Sequence, residues 1–339
     1  MTANPLISVL IDTYNYAAFI SEAVESVLAQ DLPGEEYEIL VVDDGSTDDT
    51  REKIKKYGGT LRYIYKTNGG QASAFNAGLA AARGGIICLL DADDAWKAGK
   101  LRRVAEAFRR DPRTGLVRHL MGDMDRMSKQ ITSAPKKLSL PDDGDMEDFL
   151  SRRIFAIGSS ALSFKKQFLE KILPIPEELR ICPDEYLTSH IAFYSKVVTI
   201  RECLALRRLH ASNSGLYSHN MLRTENLRNY ITTRELLDAL LRERIAQTGT
   251  SFKTDVFALS ETNVLRAKIL LKSLAFQKIQ ACRLLLAWIR SGRITAFSIF
   301  KSLTMLLAII SPRLYAYLNK LYEENGLFLR IKEKAYPLK

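Results

Sequence analysis

"GGIICLLDADDAWKAGK", residues 84–100, decides the fold of this chain. Its five apolar residues, 86–90, form an unbroken run with the length of a strand that is buried on both faces. They lead directly into three carboxylates, Asp91, Asp93 and Asp94. Because clustered anions repel each other, they need a partner that offsets their charge. The stretch therefore predicts a central strand that ends in a polar site.

The segments around this stretch alternate between apolar runs of strand length and runs with helical spacing. The predicted strands are 6–12, 37–42, 61–65 and 86–90, and the predicted helices are 14–30, 49–57, 72–83 and 100–110. Such alternation, with continuous apolar strands, indicates an α/β fold with a mostly parallel, Rossmann-like sheet and helices on both faces.

The order of elements is looser after residue 112. We predict strands at 114–121, 159–164, 197–200 and 205–209, helices at 166–172 and 184–194, and a polar loop at 130–146. From 221 onward the pattern predicts only helices, at 221–246, 256–289 and 294–321.

Three predicted strands end in polar clusters, "DTYN" at 12–15, "DDGS" at 43–46 and "DADD" at 91–94. Parallel strands present their carboxyl ends at one edge of the sheet, where ligands bind, so we expect all three clusters there. A DxD turn puts two carboxylates within reach of one hard cation. Alone, a DxD motif arises by chance and "DDGS" fits a plain turn with a helix cap. The combination favours a binding site.

Two-component receiver domains offer a rival interpretation. They also contain an apolar strand that ends in Asp-Asp and a later phosphoacceptor aspartate, at roughly the spacing of Asp44 and Asp91. Here, however, a full strand and helix precede Asp43, and the segment after Asp91 lacks the short Met-Pro loop expected of a receiver. The pattern disfavours this class.

The chain closely resembles family 2 glycosyltransferases, which have the nucleotide-diphospho-sugar transferase (A-type) fold. The matching stretches, in the family's order and spacing, are "ISVLIDTYNYAAFISEAVESVLAQ", "YEILVVDDGSTDDT", "NGGQASAFNAGLAAARGGIICLLDADD", "GSSALSF", "ICPDEYL" and "LRRLHASNSG", together covering about 6–215. The resemblance implies a nucleotide-sugar-binding half at 1–112 and an acceptor-binding half at 113–215. The basic helical region at 216–339 lies outside it.

The resemblance also implies roles in donor binding. Thr13, Tyr14 and Asn15 would hold the nucleobase and ribose, and Asp44 would accept a hydrogen bond from the base. The residues expected along the diphosphate and sugar are Asn68, Gly70, Gln71 and Asn76. Asp91 would approach ribose or sugar hydroxyls. Asp12 departs from the family, where many relatives carry a small residue or proline, and this makes base selectivity less certain.

Metal binding and catalysis follow from the same resemblance. Asp93 would ligate Mg²⁺ or Mn²⁺, and His210 lies where the family reaches the metal or a phosphate. Transfer to a hydroxyl needs a base, and in the family an acidic residue opens a helix on the acceptor side. Asp184 and Glu185 follow Pro183, with Asp184 favoured, although both also suit the first turn of a helix. Direct attack by the acceptor implies inversion.

The net charge of +10 is unevenly distributed. Residues 216–339 contain 20 Lys and Arg against 9 Asp and Glu, and 262–322 contain ten basic residues and no acidic one. The longest apolar run there, 305–310, is far too short to span a bilayer. The pattern favours helices lying on an anionic membrane surface. The alternative is a helical subdomain packed on the catalytic domain or a second subunit. No nucleic-acid recognition module is visible.

We therefore expect a metal-dependent, inverting glycosyltransferase that uses a nucleoside-diphosphate sugar, with UDP- or dTDP-sugars favoured. The acceptor would be a glycan or lipid-linked glycan in cell-surface polysaccharide or glycolipid assembly. No signal peptide is visible, and four widely spaced cysteines without a CxxC pair suit a reducing compartment. We expect a cytoplasmic enzyme, peripheral on the inner face of the cell membrane.

Two other functions remain open at this stage. A sugar-nucleotide-binding relative without turnover would keep the fold, although intact Asp93 and Asp184 argue against it. A nucleotidyltransferase of related fold would need a Gly-rich basic loop after the first strand, and "DTYNYAAF" contains no Gly, Lys or Arg.

Overall fold

The structure is a computed structural model. It describes residues 6–33, 36–132, 146, 149–150, 158–210, 223–253, 255–290, 296–315 and 317–318. The chain divides into two compact units. The first comprises Met1–Ser212 and Ala239–Val256, and the second comprises Asn213–Asp238 and Phe257–Lys339. The functional division predicted at residues 112 and 215 stays a prediction.

The first unit contains a nine-stranded sheet and its covering helices. The strands are β1 (Ile7–Thr13), β2 (Tyr37–Asp43), β3 (Arg62–Tyr65), β4 (Ile86–Asp91), β5 (Ala95–Trp96), β6 (Thr114–Met124), β7 (Gln130–Thr132), β8 (Leu162–Lys165) and β9 (Lys196–Arg208). The helices are α1 (Ile20–Leu28), α2 (Thr50–Lys55), α3 (Gln71–Ala81), α4 (Lys100–Arg110), α5 (Lys166–Leu169) and α6 (Pro183–Ile191). Short 3₁₀ turns lie at Gly58–Thr60 and Ser159–Ala161.

The sheet is parallel where the sequence predicts it. Its strand order is β3-β2-β1-β4-β8-β6-β9-β5, with β7 paired to β6. β1 lies between β2 and β4 and is parallel to both, with Asp12 opposite Asp91 and Thr13 opposite Asp43. The register therefore brings the carboxyl ends of these three strands to one edge, as expected. The second half of the sheet adds antiparallel pairs of β8 with β4 and β6.

Alternating side chains of the central strands pack on opposite layers. Val9 and Cys88 face one cluster that includes residues of α1 and α4, among them Val24 and Val104. On the other face α3 lies so close that a Cβ at Gly78 would be 2.3 Å from Leu10 Cδ1. Only glycine allows that approach. The apolar runs thus form a sheet buried on both faces.

Several boundaries differ from the sequence prediction: α6 ends at Ile191 rather than 194, the helix predicted at 294–321 ends at Ile310, and β7 lies within the polar loop predicted at 130–146. Helix α1 begins at Ile20 rather than 14, because the preceding residues form a turn in which Asn15 has a φ of 58°. α5 ends at Leu169 rather than 172. The two strands predicted at 197–200 and 205–209 are one strand, β9. Its exposed Arg201 and Glu202 resemble a turn in sequence, but the pairing of β9 with β6 shifts register there and continues.

The second unit is helical, as predicted. Helix α7 (Thr224–Thr248) begins in it, and α8 (Ala258–Leu274), α9 (Lys278–Arg290) and α10 (Ala296–Ile310) follow. The single helix predicted at 256–289 is two helices, because the chain turns at Phe276, whose φ is 58°. Ile269, Leu285 and Met305 form one of its apolar clusters. Among the described residues, no helix is long and apolar enough to cross a membrane.

Candidate active site

The loop after β1 is tied to the loop after β2. The Asn15 backbone N–H donates to Ser46 Oγ at 2.8 Å, and Asn15 Oδ1 accepts the Thr47 N–H at 2.7 Å. The Tyr14 side chain, directly before Asn15, is 46% exposed. Thr13 is buried, and its hydroxyl has no hydrogen-bond partner in this part of the described chain. The turn predicted to bind the nucleobase is therefore held by the loop after β2 and presents an aromatic ring to solvent.

Asp44 anchors the loop that leads into α3. Its carboxylate accepts the backbone N–H groups of Gly69 at 2.9 Å and Gly70 at 2.7 Å, and the Lys66 ammonium at 2.8 Å. It is only 4% exposed. A carboxylate offers about four acceptor positions, so three bonds to this loop leave one position for a base N–H. Its predicted contact with the base stays a prediction, and sequence reasoning missed its role in holding the loop.

The start of α3 approaches the chain at Arg180 closely. Gly70 has a φ of 90°, and a Cβ there would lie 2.8 Å from Arg180 Cα, so the position requires glycine. The Gln71 N–H donates to the Arg180 carbonyl at 2.9 Å, and the Arg180 guanidinium donates to Asn68 Oδ1 at 2.7 Å. Lys66 and Arg180 thus bring two cations to the loop expected to hold the diphosphate. The sequence search did not select either residue.

Gln71 and Asn76, both on α3, make different contacts. The Gln71 Nε2 group donates to Asp12 Oδ2 at 3.1 Å and to Asp91 Oδ1 at 3.4 Å, so it bridges the ends of β1 and β4. Asn76 instead donates to the Ile175 carbonyl at 2.8 Å and accepts the Ile175 N–H at 2.9 Å. The structure brings Gln71 to the carboxylates, whereas the Asn76 amide holds the backbone of a neighbouring segment.

Three carboxylates converge beyond β4. Oxygens of Asp91, Asp93 and Asp94 lie within 4.8 Å of one another. His210 Nε2 lies 2.9 Å from Asp93 Oδ2, which joins two residues that are 117 positions apart. Burial, reinforced by the charge of Asp93, raises the pKa of Asp91 to about 7. Burial and neighbouring aspartates also raise the pKa of Asp12 well above its usual range. Negative charge at this edge is therefore poorly compensated.

A serine pair holds two of these aspartates. Ser159 Oγ donates to Asp91, and Ser160 Oγ donates to Asp94 Oδ2 at 2.6 Å while it accepts the Asp91 N–H at 3.0 Å. The Ser160 carbonyl accepts the Trp96 indole N–H at 2.9 Å and the Lys100 ammonium at 2.8 Å. Trp96 is 5% exposed and anchors the segment after the DxD turn in the core.

Arg208 supports the cluster from the end of β9. Its side chain is 1% exposed, and its Nε donates to the Asp93 carbonyl at 2.8 Å. Its backbone N–H donates to Asp94 Oδ1 at 3.0 Å. Together with the serine pair, it fixes the DxD turn. In the sequence, "GSSALSF" and "LRRLHASNSG" are recognisable only as family-like stretches. Their contacts with Asp91, Asp93 and Asp94 could not be predicted, because these residues are far away in the chain.

The second predicted catalytic element is the first turn of α6. Asp184 follows Pro183, and Cys182, with a φ of 56°, turns the chain into the helix. Burial raises the pKa of Asp184 to about 8, with further contributions from the charges of Glu185 and Asp91. Glu185 is buried, at 8% exposure, whereas Asp184 is half-buried. Gln71 connects the carboxylate cluster to the segment before α6, because its side chain donates to Asp91 and its N–H donates to the Arg180 carbonyl, four residues before Asp184.

A hard divalent cation fits the donor set at the end of β4. The spread of 4.8 Å between the three carboxylate oxygens suits one ion with ligand bonds of about 2.0–2.6 Å. The nearby Asp12 Oδ1 is buried and has no hydrogen-bond partner among the described residues. Burial and the charge of Asp93 raise the pKa of Asp91, and such an ion would offset both by stabilising its charged form.

Comparisons with known sequences agree with this geometry. Residues 8–170 match the model of glycosyl transferase family 2. An uncharacterized glycosyltransferase of Nostoc sp. is 38% identical over 224 residues, which are 62% of this chain and 66% of that protein. A Bacillus subtilis protein named as a candidate teichuronic acid biosynthesis glycosyltransferase, TuaG, is 39% identical over 106 residues, 30% of this chain and 41% of TuaG. The matches thus span just under two thirds of the first relative and less than half of the second.

Solved structures share the fold. S. aureus TarS 1–349 in complex with UDP-GlcNAc has a TM-score of 0.54 and 20% identity over 88% of this chain and 90% of that one. The mannosyltransferase PcManGT from Pyrobaculum calidifontis, in complex with GDP-Man and Mn²⁺, has a TM-score of 0.53 and 18% identity over 95% and 88%. The predicted A-type fold is confirmed. The chain therefore contains a glycosyltransferase family 2 domain at residues 8–170.

Proposed function

We propose that the chain is a metal-dependent, inverting glycosyltransferase that moves a sugar from a nucleoside diphosphate to a hydroxyl acceptor. The observation that carries this proposal is the cluster of Asp91, Asp93 and Asp94 at the end of β4, which forms a candidate cation site. Gln71 connects it to the candidate base, because its side chain donates to Asp91 at 3.4 Å and its N–H donates to the Arg180 carbonyl, four residues before Asp184. Sugar transfer needs both, because charge develops on the leaving diphosphate while the acceptor loses a proton.

The donor would lie along the edge of β1, β2 and β4. Tyr14 would stack on the base, and the remaining acceptor position of Asp44 would take an N–H from uracil or thymine. TarS binds UDP-GlcNAc and PcManGT binds GDP-Man. These relatives support a nucleoside-diphosphate sugar, and the preference for UDP- or dTDP-sugars rests on Asp44. The Lys66 and Arg180 cations suit the diphosphate.

Mg²⁺ or Mn²⁺ would be held by Asp93, with Asp91 and Asp94 close enough to contribute. The bound ion would supply positive charge to the diphosphate as it leaves. His210, hydrogen-bonded to Asp93 in the structure, is suited to orient that carboxylate or to contact a phosphate. PcManGT contains Mn²⁺, which supports the choice of ion.

The reaction itself would use Asp184 as the base. The acceptor hydroxyl passes its proton to Asp184 as its oxygen bonds to the anomeric carbon, and the bond from that carbon to the diphosphate oxygen breaks. The nucleoside diphosphate leaves with the electron pair, and configuration at the carbon inverts. A pKa near 8 makes the ionised form of Asp184 a stronger base than an ordinary aspartate, and the fraction in that form increases as the pH rises.

The acceptor would be a glycan or lipid-linked glycan, and the process would be cell-surface polysaccharide or glycolipid assembly. The TuaG name supports this process. The excess of basic residues in the last third of the chain fits a peripheral position at the cytoplasmic face of a membrane.

The test is a panel of UDP-, dTDP- and GDP-sugars with Mn²⁺ or Mg²⁺, measured for binding and for slow hydrolysis. We expect one donor to bind and turn over in wild type and to lose metal-dependent binding in Asp93→Ala. Asp184→Asn should keep donor binding and lose turnover, whereas the matched Glu185→Gln should keep both. If wild type binds donor but neither hydrolyses nor transfers it, the chain is a binding protein. If a folded chain binds none of these donors, the donor assignment is wrong.

A further inference from the structure

The end of the second unit carries a continuous apolar face that no described residue covers. Six large apolar side chains of α10 and the following segment are 42–64% exposed: Leu303, Leu306, Ile310, Leu314, Tyr317 and Leu318. Leu303, Leu306 and Ile310 recur at intervals of three and four residues, which places them on one side of α10, and the other three follow in the next segment. We call this set the C-terminal apolar face. Isolated exposed leucines are common, but six large apolar side chains exposed within 16 residues mark an interaction surface.

The opposite side of the same segment is already used. Met305 and Ile309 pack with Ile269 and Leu285, and Tyr315 belongs to a second apolar cluster of the unit. The Arg266 guanidinium also donates to the Tyr315 hydroxyl at 2.6 Å. Because these contacts fix which side faces the helical core, the exposure of the C-terminal apolar face follows from the fold of the unit.

Helix α9 repeats the pattern with charge added. Ile279 and Leu286 are 74% and 49% exposed, and Phe276 in the preceding turn is 89% exposed. Arg283 and Arg290 are exposed on the same helix. Exposed apolar side chains interleaved with arginine are typical of helices that lie in a lipid headgroup layer.

The charge around these helices selects the partner. Residues 262–322 contain ten basic residues and no acidic one. We propose that the C-terminal apolar face docks on an anionic membrane surface, with α10 lying in the plane of the interface. A protein partner would need a matching acidic and apolar surface, whereas anionic lipid supplies both features at once. The membrane contact is inferred independently of the proposed function. Only its biological role, to bring the active site to a lipid-linked acceptor, rests on that proposal.

The experiment is flotation of the full chain with vesicles, read without any activity assay. Vesicles of phosphatidylcholine with about 30% phosphatidylglycerol are compared with phosphatidylcholine alone. We expect wild type to float with the anionic vesicles, less so at high salt because screening weakens the basic contribution. The double variant Leu306→Glu/Ile310→Glu should reduce the partition coefficient on the order of tenfold or more, since it adds two anions to the face that would enter the membrane. Met127→Glu, a change at an 84% exposed position of the first unit, is the matched control and should float like wild type.

Several outcomes overturn the proposal. Wild type that does not float, or a double variant that floats as well as wild type, excludes the C-terminal apolar face as a lipid contact. Dimeric wild type and monomeric double variant in light scattering assign the face to a second copy instead. If wild type does not float but a chain truncated after residue 318 does, the chain's own end occupies the face in the intact protein. Because donor hydrolysis is measured separately on soluble protein, failure of membrane binding and failure of the transferase proposal are distinguishable.

Discussion

Ser160→Ala is the most direct perturbation of the frame that holds the carboxylates. The Ser160 hydroxyl accepts the backbone N–H of Asp91 and donates to Asp94, which is 3% exposed. Alanine leaves a buried N–H without its acceptor and a buried carboxylate without its O–H donor. Each loss costs about 1–3 kcal/mol. We therefore expect the free energy of unfolding to fall by about 2–5 kcal/mol, a large share of the roughly 5–15 kcal/mol typical of a domain.

The assay combines urea unfolding with titration of Mn²⁺, followed by the Mn²⁺-dependent rise in melting temperature. Ser163→Ala is the control, since Ser163 is equally buried on β8 and, among the described residues, makes no hydrogen bond to the aspartates. Ser160→Ala should lose both stability and Mn²⁺ affinity, with affinity weakened about tenfold, as for other groups that orient metal ligands. Ser163→Ala should keep wild-type Mn²⁺ affinity. An unchanged free energy of unfolding, or unchanged Mn²⁺ affinity in a folded Ser160→Ala protein, would refute the reasoning.

Three further predictions test the site. Asp184→Asn should lower the transfer rate by about 10²–10⁴-fold. In wild type, kcat/KM should rise with pH as Asp184, with its pKa near 8, loses its proton. This rise should be absent from the pH profile of the variant's residual rate. Without divalent ion, the melting temperature should fall as the pH rises from about 4 to 7, because the raised pKa of Asp91 makes the folded state bind more protons than the unfolded state in that range. Mn²⁺ should reverse this fall at pH 7 in wild type but not in Asp93→Ala. A flat profile without the ion would contradict the prediction. Gly70→Ala should cost at least about 1–3 kcal/mol, since its φ is 90° and the Cβ would meet Arg180 at 2.8 Å; unchanged stability and donor binding would show that the loop adapts.

The edge of the sheet could be predicted from the sequence because it depends on local patterns. Unbroken apolar runs followed by Asp12, Asp43 and Asp91 identify three buried parallel strands and the end at which each stops. Parallel pairing then brings those ends together whatever the details of packing. The short helix that opens at Pro183 was also predictable, since proline favours the first turn.

The hydrogen bonds within the site could not be predicted in the same way. Ser159 and Ser160 lie 66 to 69 residues from the aspartates that they hold, and Arg208 lies 114 residues from Asp94. No local pattern distinguishes such serines from ordinary polar residues at the start of a strand. The error in β9 has a similar origin, because the polar Arg201 and its neighbour favour a turn locally while pairing with β6 maintains the strand.

The three carboxylates that follow β4 now have different explanations. Asp94 accepts hydrogen bonds from the Ser160 hydroxyl and from the backbone N–H of Arg208, so its carboxylate helps to hold the DxD turn in place. Asp93 is hydrogen-bonded to His210, and Asp91 keeps a pKa near 7 because its burial and its neighbours disfavour the charged form. A structural role alone would be met by a neutral amide, which would avoid the repulsion. The chain instead retains acidic groups where they destabilise each other, and that cost is intelligible if a cation and a diphosphate occupy the same edge.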